Sequence, residues 1–140
     1  MEPLFTTTVT AEGGRAGHVK SKDGILDLNL VSPKELGGPG GEGTNPEQLF
    51  AAGYSACFDG ALNLVIKNKK EKDVTDTSVT ADVHFLKDES DGGFKIGVDL
   101  NVKVDGVDKD KAKELVEAAH QVCPYSKATR GNVEVNLHVV

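Results

Sequence analysis

The chain has 140 residues, 38% of them apolar and 27% charged, with a formal net charge of −6. That length suits one domain with a core of its own, laid out over 1–140. An acidic balance without tryptophan or a basic stripe argues against a nucleic-acid binder. No apolar run reads as a membrane span, and MEPLFTTTVT has neither the basic nor the apolar region of a signal peptide, so a cytoplasmic protein is expected.

The first third reads as strands. Phe5, Thr7, Val9 and Ala11 share one face of a first strand. A Gly-rich turn, EGGRAGHV, leads into a second near His18 to Lys20. ILDLNLV (25–31) makes a third, with Leu26, Leu28 and Leu30 on one side. SPKELGGPGGEG is too rich in Gly and Pro for regular structure and makes a long loop.

The first helix follows. Asn45 suits its N-cap, Pro46 its first position, and Gln48 the third, where a capping box reaches back. From Leu49 to Ile66 the helix is apolar around most of its circumference, which predicts burial on all sides. A small domain covers such a helix poorly, so an obligate dimer is expected.

Two long alternating strands come next, joined by the hairpin turn DESDGG. Val79, Ala81, Val83 and Phe85 line one face of the first; Phe94, Ile96, Val98, Leu100, Val102 and Val104 line one face of the second. The second helix runs from Asp108 to Cys123 with an inward stripe of Ala112, Leu115, Val116, Ala119, Val122 and Cys123, and Pro124 stops it. NVEVNLHVV closes the chain as a strand. The order β-β-β-α-β-β-α-β, with half-solvated alternating strands, describes an α+β domain with largely antiparallel sheets around a long buried helix.

Two cysteines are too few for a disulfide scaffold, and too few for structural zinc unless histidines join them. The four histidines lack zinc-motif spacing, so no metal is expected. YSKATRGN offers hydroxyls but no nucleophile elbow, and the glycine loop is no phosphate loop. Helix periodicity directs both Cys57 and Cys123 inward. The residues alone leave two readings open: two inert core thiols, or a peroxidatic and resolving pair on different helices. The redox reading needs a nearby cation, because burial raises a thiol pKa. Arg15 is one candidate, or merely a solvated turn arginine. Arg130 and the histidines are the others. Glu47 is either a partner for such a cation or a carboxylate that only favours a helix N-terminus.

TNPEQLFAAGYSACF around Cys57 and HQVCPYSKATRGN around Cys123 resemble the two signatures of the organic hydroperoxide resistance (Ohr) branch of the Ohr/OsmC family. GGRAGHV, SPKELGG and NVEVNLHVV match it too, so the likeness covers essentially the whole chain. The resemblance implies an OsmC-like fold, an intertwined homodimer and a thiol peroxidase acting on alkyl and lipid-type hydroperoxides. Cys57 would be peroxidatic and Cys123 resolving, passing through a Cys57 sulfenic acid to a Cys57–Cys123 disulfide. Arg15 and Glu47 would complete the catalytic set, with Glu47 holding Arg15 through a bidentate pair. No bound cofactor is implied; the external reductant would be a dihydrolipoyl group on a lipoylated protein. Phe50, Tyr54 and Phe58 are expected to line the substrate site.

Glu47 and Cys57 lie ten positions apart, about 15 Å along a straight helix, so Arg15 and Glu47 are expected to meet the Cys57 of the other chain. The alternatives are a broader OsmC-type thiol peroxidase and a non-catalytic carrier of a lipid-like ligand in the same groove.

Overall fold

A computed structural model describes residues 1–140, which divide into two compact units, 1–49 and 50–140. In the first unit, β1 (Val9–Glu12), β2 (His18–Ser21) and β3 (Asp27–Asn29) form an antiparallel sheet in that order. The expected first strand is shortened at its start: Leu4 and Phe5 are exposed, and an apolar residue with nothing to cover it gives alternation no purchase. The third strand is likewise shorter than 25–31, although a bridge from Leu30 to Thr44 extends the pairing. Of this unit's apolar side chains only Val19 and Leu30 are buried. The glycine loop contains one 3-10 turn, Lys34–Leu36.

Helix α1 runs unbroken from Pro46 to Asn68, its first turn in unit 1 and the rest in unit 2. Asn45 caps it as expected, its Oδ1 accepting from the Gln48 N–H at 2.7 Å. Gln48 does not close a capping box. Its Oε1 instead accepts from the Thr44 hydroxyl at 2.6 Å, one residue further back. By length and composition alone α1 would suit a membrane span, against the expectation that no run does.

In unit 2, α1 buries one face, Tyr54, Phe58, Ala61, Leu62 and Val65, and not its whole circumference; Leu64 is 48% exposed. Strands β4 (Asp76–Asp88) and β5 (Gly93–Asp105) pair antiparallel over their full lengths. Helix α2 (Lys109–Val122) is capped by Asp108, which accepts from the Lys111 N–H at 2.8 Å. Its inward stripe is the expected one except at Val122, which is 48% exposed.

Pro124 does not simply end the helical region. It takes the first position of a third helix, α3 (Pro124–Thr129), where its missing N–H costs nothing. The last strand, β6 (Glu134–Val139), lies parallel to β5, the exception among strand pairs that are otherwise antiparallel as expected. A parallel neighbour needs a crossover, and α2 with α3 supplies it. Val98, Leu100, Val102 and Val104 on β5 pack with the buried faces of α1 and α2 into one core. Each fully buried Leu or Phe there, such as Leu62, Phe58, Leu100 and Leu115, contributes about 1.5–3 kcal/mol.

Candidate active site

The residues singled out from the sequence fall into two constellations, one in each unit. In unit 1 the GGRAG segment makes a 3-10 turn, Gly14–Ala16, that carries Arg15. Gly17 is required there because a Cβ would sit 1.7 Å from the Glu12 carbonyl oxygen. Arg15 meets Glu47 in the first turn of α1. The contact is not the two-pronged pair expected: one nitrogen, Nη1, straddles both carboxylate oxygens at 2.8 and 3.2 Å. Glu47 is the more enclosed partner, 15% exposed against 41% for Arg15.

In unit 2, helix periodicity brings Cys57 of α1 to Cys123 at the α2–α3 junction. Both thiols are free, and their sulfurs stand 3.6 Å apart. Cys123 is wholly buried and Cys57 half-buried. Cys123 ends α2 and precedes α3; the following proline favours the extended backbone that it adopts. Burial pushes the Cys57 thiol above its usual range. The Tyr125 backbone N–H, donating to Cys57, opposes that, while Cys123 adds to it.

Phe50, Tyr54 and Tyr125 form an aromatic group beside the thiols, with ring centroids 5.7–6.1 Å apart. The Tyr125 ring lies across Gly53, one turn before Cys57 on the same helix face. A Cβ at Gly53 would come within 2.8 Å of the Tyr125 hydroxyl. Of the expected lining residues, Phe50 is half-buried, but Tyr54 and Phe58 are wholly buried, so their rings serve the core. Each lies a quarter-turn or so away from the Gly53–Cys57 face and therefore points inward.

A buried polar chain holds α3 to α1 and α2. Tyr54 Oη lies 2.9 Å from Ser126 Oγ and 3.2 Å from Thr129 Oγ1, and Ser126 Oγ lies 2.8 Å from His120 Nδ1. Arg130 Nη2 donates to the His120 carbonyl at 2.7 Å. Burial, and next the Arg130 charge, hold His120 below the usual histidine pKa and favour its neutral form. Sequence reading weighed the histidines only as candidate cations and the YSKATRGN hydroxyls only as a nucleophile site, and so missed Tyr125, Ser126 and His120 as a group. The one signal was Pro124, a helix starter as well as a helix stop.

The remaining histidines stand elsewhere. His84 and His138 converge on Asp99, at 2.7 and 2.9 Å, on the outer face of the second sheet. Hydrogen bonds from His138 first, then His84, hold the Asp99 carboxyl down at about 2. His18 bridges Asn29 and Asp27 in unit 1.

Two free thiols brought together from a helix and a helix–helix junction of an α+β fold define a dithiol protein. Residues 38–138 match the family described as OsmC-like protein. The chain is 57% identical to the organic hydroperoxide resistance protein OhrB of Bacillus subtilis over 97% of its own length and 98% of that protein's. The crystal structure of OhrB superposes with a TM-score of 0.89, covering 99% of this chain and 100% of that one. An organic hydroperoxide resistance protein from Elizabethkingia anophelis, crystallised with thiocyanate bound, gives 0.92 at 55% identity, covering 99% and 98%. The chain therefore belongs to the OsmC-like family, in its organic hydroperoxide resistance (Ohr) branch.

Proposed function

We propose that the protein is a cysteine-based peroxidase that reduces organic hydroperoxides to alcohols and so protects against oxidative stress. The observation that carries this is the pair of free thiols, Cys57 on α1 and Cys123 at the α2–α3 junction, 3.6 Å apart. The names of the curated relatives supply the substrate class. The Cys57 thiolate attacks the O–O bond, becomes a sulfenic acid and releases the alcohol. The Cys123 thiol then displaces the sulfenic hydroxyl as water, leaving a disulfide. An external dithiol of the dihydrolipoyl class, carried on a lipoylated protein, reduces that bridge by exchange.

Within unit 2 burial works against ionising Cys57. A guanidinium held against the sulfur would overcome this, and Arg15, restrained by Glu47, is the group proposed for it. Because α1 is unbroken, Glu47 and Cys57 are separated by about 15 Å of helix rise, which supports supply of Arg15 and Glu47 from a second copy of the chain. The single chain also leaves Phe5, Leu64 and Phe94 exposed, as expected of surfaces that a homodimer covers. A relative matched over 97% of the chain, and so across both units, supports reading 1–140 as one functional domain. The half-exposed rings of Phe50 and Tyr125 are the proposed apolar lining for an alkyl or acyl peroxide.

The test is to mix reduced protein with cumene hydroperoxide and count thiols. Stoichiometric loss that vanishes in Cys57→Ser supports the peroxidase. Unchanged thiols would leave the non-catalytic carrier, and equal rates with hydrogen peroxide would favour the broader OsmC-type enzyme.

A further inference from the structure

Beyond the two cysteines, Arg15 and Glu47, the structure contains a buried constellation that the proposed reaction does not use: His120, Ser126 and Tyr54. A Ser–His contact of 2.8 Å invites comparison with a hydrolytic dyad. Ser126, however, is wholly buried and already shares its Oγ between His120 and the Tyr54 hydroxyl. No substrate reaches it, so its chemistry is that of a fastening. What it fastens is the first turn of α3. That turn carries the Tyr125 N–H that meets Cys57, and it begins directly after Cys123.

We propose that Tyr54, Ser126 and His120 are positioning residues for resolution: by pinning the α2–α3 corner they hold Cys123 where it captures the Cys57 sulfenic acid before a second peroxide does. This rests on the peroxidase reading above. Forming the disulfide takes the sulfurs from 3.6 Å to about 2 Å. The Cys123 thiol proton leaves with the sulfenic hydroxyl as water, so the step needs no further oxidant. A misplacement of about 1 Å costs on the order of 100-fold in such a step. Three elements meet at the fastening, Tyr54 from α1, His120 from α2 and Ser126 from α3, so loss of one hydroxyl frees the corner without removing a sulfur.

The test measures partition as well as stability. Reduced full-length protein is treated with excess cumene hydroperoxide, trapped with dimedone and read by intact mass for disulfide, sulfenic adduct and sulfinic acid. Tyr54→Phe and His120→Leu should raise the sulfenic and sulfinic share on the order of tenfold or more, with initial thiol oxidation little changed. His120→Asn, which keeps an amide near the Nδ1 position, should restore the disulfide. Ser126→Ala provides a second route if Tyr54→Phe does not fold. Val65→Ala, a core change on α1 away from this network, should lower Tm and still form disulfide normally. Disulfide yields in Tyr54→Phe and His120→Leu equal to the unsubstituted protein's, or a Val65→Ala shift as large as theirs, would overturn the proposal. If the unsubstituted protein loses no thiol at all, the peroxidase reading has failed first.

Discussion

Glu47→Gln separates what the Arg15–Glu47 pair does for the fold from what it does for the chemistry. The substitution keeps the size of the side chain and one carbonyl acceptor but removes the charge. The pair is 41% and 15% exposed and joined through a single guanidinium nitrogen, which places it among surface ion pairs worth about 0–1 kcal/mol. Glu47 also sits in the first turn of α1, where a carboxylate is worth a further 0.3–1 kcal/mol or so against the helix dipole. The stability loss in urea should therefore be about 1 kcal/mol and stay below about 2 kcal/mol. If Glu47 positions Arg15 against the thiolate, the rate of Cys57 oxidation by cumene hydroperoxide should fall far more, on the order of 10- to 100-fold. Stopped-flow thiol kinetics and urea melts on the same samples give both numbers, and Arg15→Gln alone and combined with Glu47→Gln completes a double-mutant cycle. Additive rate losses, or an unchanged rate in Glu47→Gln, would refute the idea that the two side chains act as one device.

Cys123→Ser should leave the first oxidation of Cys57 intact and abolish the disulfide, so that intact mass shows sulfinic acid accumulating with excess peroxide. Gly53→Ala should cost stability in urea although the helix gains about 1 kcal/mol in propensity, because the Cβ meets the Tyr125 hydroxyl at 2.8 Å and two of its ring carbons at 3.2 Å, and the ring must leave its place against Phe50 and Tyr54. Asp108→Ala removes the α2 cap and should cost about 1 kcal/mol. The Asp99 carboxyl is depressed to about 2 and so contributes stability that is present above its unfolded pKa near 3.8 and lost as pH falls toward 2. Asp99→Asn should therefore be less stable than the parent protein around pH 5, with the gap closing in acid melts near pH 2.

Much of this was written locally. Asn45 and Pro46 mark the start of α1, and the strict alternation from Phe94 to Val104 gives β5 and the face it buries. The stripe from Ala112 to Cys123 aims the second thiol inward without any knowledge of its partner. What stayed hidden was relational. Alternation states which face a strand buries but not the direction of its neighbour, so the parallel pairing of β6 was illegible. An apolar circumference states what α1 needs covered but not by what, and one chain covers a single face. Pro124 is compatible with stopping one helix and with starting the next, and only packing decides. The role of Tyr125 and Ser126 depends on contacts to Tyr54 some seventy positions earlier in the chain, a distance at which no spacing rule speaks.

The parallel seat of β6 also fixes the order in which unit 2 is able to fold. Its partner β5 ends at Asp105, and the matching strand does not begin until Glu134, with two helices to be made in between. Closing a parallel pair across such an interval is intrinsically slow, because the loop entropy is lost before the contacts form. A chain emerging from the ribosome would thus expose the bare edge of β5 until Glu134–Val139 has followed. That edge is where a nascent or heat-stressed molecule is most prone to join another.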